Sequence, residues 1–277
     1  MNDLLEGIAS GISNNVPASE NEYIGEDGLK RCSVCGVATE TYITNPFSHK
    51  SHKVRCICYC KQKELNAHKE RERQQDMERQ RRICFSETNM ASWTFANDDR
   101  RNAKLSDVMQ NYVNNFTDFR SDGKGLLLYG PVGTGKTYYA ACIANKLIDE
   151  GFTVYMTKFT DLVNLIQSKS FQDKPEFIES INRYSLLIID DLGTERESAF
   201  MQEQVFNIID SRYRSGLPFV ITTNLSWAEI KQPQNVQYAR IYDRIIERCF
   251  PVEVAGVSRR RQSVVDTYAD MKKKLGI

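Results

Sequence analysis

The alternation of hydrophobic and polar positions divides this chain into stretches of different character. Residues 1–27 are polar and acidic (Asp3, Glu6, Glu20, Glu22, Glu26, Asp27), with only Leu4, Leu5, Ile8 and Ile12 at helical spacing. They predict a loose or docking segment. Residues 28–62 carry a cluster of cysteines and predict a small module. From Lys61 to Arg82 the apolar positions reduce to Leu65, Ala67 and Met77, with no Gly or Pro. Strong helix formers without an apolar stripe predict an exposed helical linker over 63–89. From about 90 to 265 the pattern changes to short apolar runs, at 125–130, 153–156, 186–190 and 219–224, separated by helix-length intervals. Runs of that kind predict an α/β domain in which a parallel sheet is covered by helices on both faces. A basic tail, 266–277, follows.

Length and composition narrow the class. At 277 residues, the chain is expected to hold one or two domains, and 37 basic against 36 acidic residues point to no particular class of partner. No run approaches the roughly 18 apolar residues of a membrane span, and the N-terminus lacks the basic and apolar regions of a secretory signal. The expectation is a soluble, cytoplasmic protein with no membrane partner. Five of its eight cysteines fall between Cys32 and Cys60, which in a reducing compartment points to metal before disulfides. Cys32-Ser33-Val34-Cys35-Gly36 is a C-x-x-C knuckle, and Cys56, Cys58 and Cys60 follow about twenty residues later. Two thiolate pairs at that separation suit tetrahedral zinc. The expected ligands are Cys32, Cys35, Cys58 and Cys60, with Cys56 as an alternative in the second pair and His49 and His52 as weaker candidates. A module this small has little core of its own, so the metal would hold its fold. Cys84, Cys142 and Cys249 read as structural.

The remaining chemistry lies in the larger region. Gly130-Pro131-Val132-Gly133-Thr134-Gly135-Lys136-Thr137 fits G-x-x-x-x-G-K-[ST] between an apolar run and a helical stretch. Glycines let consecutive backbone N–H groups face a phosphate chain at a helix N-terminus. Lys136 would reach the β and γ phosphates of ATP, and the Thr137 hydroxyl would coordinate Mg²⁺. The run 186–190 ends in Asp190, a candidate magnesium-site carboxylate, and Asp191 is placed to polarise the attacking water. Asn224, closing the run 219–224, is a candidate sensor of the γ-phosphate. Arg240, Arg244 and Arg248 recur every fourth residue and so share a helical face, and Arg259, Arg260 and Arg261 follow. Guanidinium groups fork onto phosphate oxygens and can stabilise a transition state in the same or a neighbouring subunit.

Taken in order, GLLLYGPVGTGKTYYAACIAN, LLIIDDLGTE, RYRSGLPFVITTNLS, ARIYDRI and GVSRRR resemble the AAA+ ATPases of the DnaC/DnaI helicase-loader group, with the transposition helper IstB as kin. The resemblance covers about Trp93 to Arg261. It implies that Lys136 and Thr137 belong to the nucleotide loop, Asp190 and Asp191 to Walker B and Asn224 to sensor 1. It further implies Arg240 or Arg244 as the arginine finger and Arg260 as sensor 2, although Arg259 stands where the family carries an aromatic residue. An extra helix that lines a single-strand channel in initiators and loaders would fall near Lys169 and Phe171, candidate DNA contacts. The implied function is ATP-dependent loading of a hexameric replicative helicase onto single-stranded DNA, by subunits that associate through the ATPase domain and grip the helicase with the zinc module. Its rivals are a transposition helper, a nucleotide-regulated helicase adaptor or inhibitor, and a small-molecule P-loop kinase, for which no acceptor site is evident.

Overall fold

The computed structural model describes residues 22–46, 49–85, 87–170, 172–193, 199–233 and 236–276. The chain divides into two units, residues 1–76 and 77–277, so the boundary falls inside one long helix.

In the first unit, β1 (Glu22–Ile24) pairs antiparallel with β2 (Lys30–Cys32), and β3 (Glu40–Thr44) with β4 (Ser51–Arg55). Ordered pairing thus begins at Glu22, inside the stretch whose acidity predicts a loose segment. These strands are short and mostly polar, and no periodic pattern announces them. Turns define them instead: Gly25 N–H donates to the Leu29 carbonyl at 2.9 Å, and Glu22 accepts from Arg55 at 3.3 Å. Helix α1 (Tyr59–Cys84) follows. It starts before the expected linker and ends before Glu87, because the charged stretch is helical until Cys84 and Phe85 become buried in the second unit.

The second unit contains α2 (Ala103–Asn114), α3 (Phe116–Ser121), β5 (Gly125–Tyr129), α4 (Lys136–Asp149), β6 (Val154–Lys158), α5 (Phe159–Gln167) and α6 (Asp173–Ile181). They are followed by β7 (Leu186–Leu192), α7 (Ala199–Arg214), β8 (Phe219–Thr223), α8 (Trp227–Lys231), α9 (Val236–Arg248), β9 (Cys249–Glu253) and α10 (Arg259–Leu275). Strands β5 to β9 form a parallel sheet in the order β6-β7-β8-β5-β9. All four apolar runs are strands of it. The fifth, β9, holds a proline, which is tolerated at an edge where no ladder N–H is lost. The tail expected at 266–277 continues a helix begun at Arg259.

Near-continuous apolar strands follow from burial on both faces. Leu126, Leu128, Leu186, Ile188 and Val220 pack with α4, α2 and α3 on one side, through Ala140, Ile143, Leu147, Met109 and Phe116. Leu127, Leu187, Ile189, Phe219 and Ile221 pack on the other with α5, α7 and α9, through Leu162, Ile166, Val205, Ile209 and Ile245. At the end of the sheet where β7 and β8 begin, fully buried Arg212 donates to the carbonyls of Tyr184, Ser185 and Pro218 at 3.0, 3.2 and 2.8 Å. Burial pushes its guanidinium down to about 9.

Candidate nucleotide and metal sites

The loop 130–135 leaves β5 and enters α4 with Gly130, Gly133 and Gly135 at φ of 139°, 84° and 105°, values open to glycine and strained for other residues. Space is as limiting as conformation. A Cβ on Gly130 would stand 2.7 Å from the Val254 carbonyl oxygen, and one on Gly133 would overlap the Ser258 hydroxyl. Lys136, 4% exposed, donates through Nζ to the Gly130 and Pro131 carbonyls at 2.8 and 2.7 Å. At the second residue of α4, Thr137 donates its hydroxyl to the Asp190 carboxylate at 3.0 and 3.2 Å.

Asp190 and Asp191 reach this cleft by an irregularity in β7. Ile189 is paired with Ile221, but Leu192 with Thr223, so β7 carries one residue more than β8 between those pairs. That is a β-bulge. In a regular strand Asp190 would follow Ile188 toward α4 while Asp191 faced the opposite side. Here Asp191 takes φ 57°, a left-handed conformation that Asp tolerates better than most residues. Leu192 takes the opposite-side core position instead. Two consecutive carboxylates thereby serve one site. Asp190 is 1% exposed, and burial lifts its carboxyl above the usual range against hydrogen bonds from Thr222 and Thr137. Asp191 accepts from the Asn224 amide at 3.4 Å.

The resulting cleft, about 330 Å³, is lined by the loop, Thr137, Asp191 and Asn224, joined by Trp93, Tyr138 and Arg259. The predicted loop, the two expected Mg²⁺ residues and Asn224 are brought together. Trp93 and Arg259 were not among the predicted site residues, and no local motif marks them. Trp93 is tied to the cleft by Asn145, whose amide donates at 2.9 Å to the carbonyls of Met90 and Trp93 and whose oxygen accepts from Arg81 at 3.1 Å. Arg259 donates its backbone N–H to the Gly133 carbonyl at 2.9 Å and pairs with Asp99 at 3.1 Å. The side chain of Arg260, the expected sensor 2, lies outside the described residues.

Other predicted residues are elsewhere. Arg240 and Arg244 do not line the cleft. Arg244 is engaged at home, with Asp210 at 2.8 Å and above the Phe206 ring at 4.7 Å, whereas Arg240 is exposed and its guanidinium has no partner among the described residues. Lys169 is exposed, with its ammonium 5.7 Å from the Phe177 ring centre. Phe171 lies outside the described residues.

In the first unit the sulfurs of Cys32, Cys35, Cys58 and Cys60 all lie within 4.8 Å of one another. Cys32 to Cys60 is 3.7 Å and Cys58 to Cys60 is 3.9 Å. The edge of a tetrahedron with zinc–sulfur bonds of about 2.3 Å is about 3.8 Å, and a disulfide needs about 2.05 Å. The thiols therefore fit one tetrahedral ion. Cys56 points away and donates to the Ala38 carbonyl at 3.3 Å, while His49 and His52 are outside the cluster. Backbone N–H groups of Cys35 and Val34 lower the Cys32 thiol, and a hydrogen bond from the Cys60 thiol lowers Cys35 to about 6 while pushing Cys60 itself up to about 12, so Cys32 and Cys35 are the readier thiolates of the four. Besides Cys32 and Cys58, Val54 is the one buried hydrophobic side chain among the described residues of this unit.

Residues 43–266 match the family model described as IstB-like ATP binding protein. The chain is 30% identical over 152 residues to the replicative helicase loader DnaI of Bacillus subtilis, covering 50% of this chain and 48% of that protein. It is 31% identical over 147 residues to a putative insertion sequence ATP-binding protein of Sinorhizobium fredii, covering 52% and 49%. The chain thus spans about half the length of these relatives. A crystal structure of DnaI covers 65% of this chain and 99% of its own length, with 26% identity and a TM-score of 0.55. Among the described residues no helix is long and apolar enough to cross a membrane.

Proposed function

The chain belongs to the IstB-like ATP binding protein family, and from that premise we propose that it is an ATP-hydrolysing loader of a hexameric replicative DNA helicase onto single-stranded DNA. Support for hydrolysis, beyond nucleotide binding, comes from Asp191, which the bulge brings beside Asn224 in the cleft. Asp191 accepts a proton from the attacking water, and Asn224 orients that water or the γ-phosphate. Lys136 and the loop N–H groups hold the phosphates. Thr137 and Asp190 would hold Mg²⁺, which when bound neutralises charge on the phosphate oxygens. Arg259, at the start of α10, takes the sensor 2 role in the same subunit. Arg240 takes the finger role toward a neighbour, because it is exposed and uncommitted among the described residues while Arg244 is held by Asp210.

The observation that carries the loader reading over a transposition helper is the four-thiol cluster, which lies in a compact unit other than the one that holds the nucleotide loop. Zinc is the ion proposed there, with the helicase as the partner gripped by the module and Lys169 and Phe171 as single-strand contacts. The helper reading is favoured by the insertion-sequence relatives. One experiment separates them: purified chain is mixed with its host's hexameric helicase and single-stranded circles, with ATP. ATP-dependent deposition of helicase on the circles supports loading. Absence of any complex with the helicase, together with ATP-dependent binding to duplex DNA and a transposase, overturns it.

A further inference from the structure

The bulge that gathers Asp190 and Asp191 needs something to hold it, since a left-handed non-glycine residue is strained and persists only where its surroundings impose it. One side chain bonds to both acids. Thr222, on β8 opposite the bulge and fully buried, donates its hydroxyl to Asp190 Oδ1 at 2.6 Å. The Thr222 hydroxyl oxygen in turn accepts the backbone N–H of Asp191 at 2.9 Å. Ser or Thr is suited to this double duty, because a hydroxyl gives one hydrogen and takes another. Without it, the Asp191 N–H would lose this acceptor and Asp190 the shorter of its two hydroxyl donors.

We infer that Thr222 is a positioning residue that sets both acids of the site: its hydroxyl aims Asp190 at Thr137 and holds the left-handed turn that brings Asp191 to Asn224. The inference rests on the ATPase reading above. Thr222 also lies on β8 two residues before Asn224, which directly follows the strand, so a shift of β8 moves the pin for both acids together with the sensor. The metal-site carboxylate, the water-polarising carboxylate and the sensor therefore respond as a unit. Its neighbour Thr223 provides an internal control. That residue is equally buried and bonded, donating to the Leu192 carbonyl at 2.7 Å and accepting from Leu225 N–H at 3.2 Å, but it touches neither acid.

The test compares Thr222→Val, Thr222→Ser and Thr223→Val in the full chain. Three quantities are read: turnover, the Mg²⁺ concentration that half-saturates binding of a fluorescent ATP analogue, and amide exchange over 189–193. Thr222→Val should raise the Mg²⁺ requirement about tenfold, the loss expected for one charge-assisted hydrogen bond, and reduce turnover at saturating Mg²⁺ at least tenfold. Binding of the analogue in EDTA should change less than twofold, and exchange at Asp191 should accelerate. Thr222→Ser should recover Mg²⁺ requirement and turnover to within about threefold. Thr223→Val should lower the melting temperature without moving the Mg²⁺ requirement. If Thr222→Val is unstable, the contrast between Thr222→Ser and Thr222→Cys carries the same test, since a thiol is a weak donor. A valine or cysteine variant that matches the wild type in Mg²⁺ requirement and turnover overturns the inference, as does a Thr223→Val that reproduces the loss. A wild-type chain with no Mg²⁺-dependent turnover would instead overturn the ATPase reading, before any variant is compared.

Discussion

At the residue scale, the proposed roles separate groups that would hold nucleotide from groups that would act on it. Lys136 is the cation at the loop, so Lys136→Ala should weaken ATP binding by at least ten- to a hundredfold, the worth of a charged hydrogen bond, as calorimetric titration would measure. Asp191→Asn keeps the shape and the Asn224 contact but removes the base. It should bind ATP within a few-fold of wild type and lose about 10²- to 10⁴-fold in turnover; comparable turnover would return Asp191 to a structural role. Trp93 lies on the wall of the cleft, half-buried, its ring centre 5.9 Å from that of Tyr138. With one other tryptophan, Trp227, in the chain, a Trp227→Phe background isolates its emission, which should change on addition of ATP and stay constant in the Lys136→Ala variant.

At the element scale, helix ends and strand irregularities do the placing. Gly133 shows how little room the loop allows: Gly133→Ala sets a Cβ against Ser258 at positive φ, a strain of roughly 1–2 kcal/mol before any clash, and should cost ATP affinity more than global stability. Helix α9 raises a different question. Its buried face is Ile241, Tyr242 and Ile245, which turns Arg240 outward and leaves Arg244 over Phe206. Mixing Arg240→Ala subunits with Lys136→Ala subunits should restore part of the turnover, because an intact finger can then face an intact loop. A mixture that co-assembles yet stays as inactive as either parent would remove Arg240 from that role.

At the scale of the whole molecule, two units rest on different physics. Residues 77–277 bury a two-sided core around a sheet. The described part of the first unit has almost none, and is held by short hairpins, ion pairs such as Arg31–Asp27 at 2.7 Å, and the four thiols. Chelation, or Cys32→Ser, should therefore abolish protection from amide exchange over 22–60 while leaving the main melting transition and ATP binding in place. Metal analysis should give about one zinc per chain. Helicase capture should fail in Cys32→Ser and persist in Asp191→Asn. Retention by the zinc-free variant would move the partner surface onto the ATPase unit.

Much of this molecule was legible in its sequence, and the reason is range. The loop 130–137 is a local motif whose glycines, lysine and threonine act through neighbouring backbone, and four of five sheet strands are apolar runs that only two-sided burial explains. The cysteine pairs are local too, since each knuckle closes over a few residues. What escaped depends on contacts between distant segments. Strand β9 is recognisable only once β5 offers it an edge. Trp93 lines the cleft because Asn145, 52 residues further on, holds its carbonyl. Arg259 reaches the loop because its N–H finds Gly133, and nothing in the run of three arginines marks it for that contact. The pair Asp190-Asp191 is plain in the sequence. That both carboxylates can face one site is a matter of register between β7 and β8, decided by one extra residue in a strand and the hydroxyl opposite it.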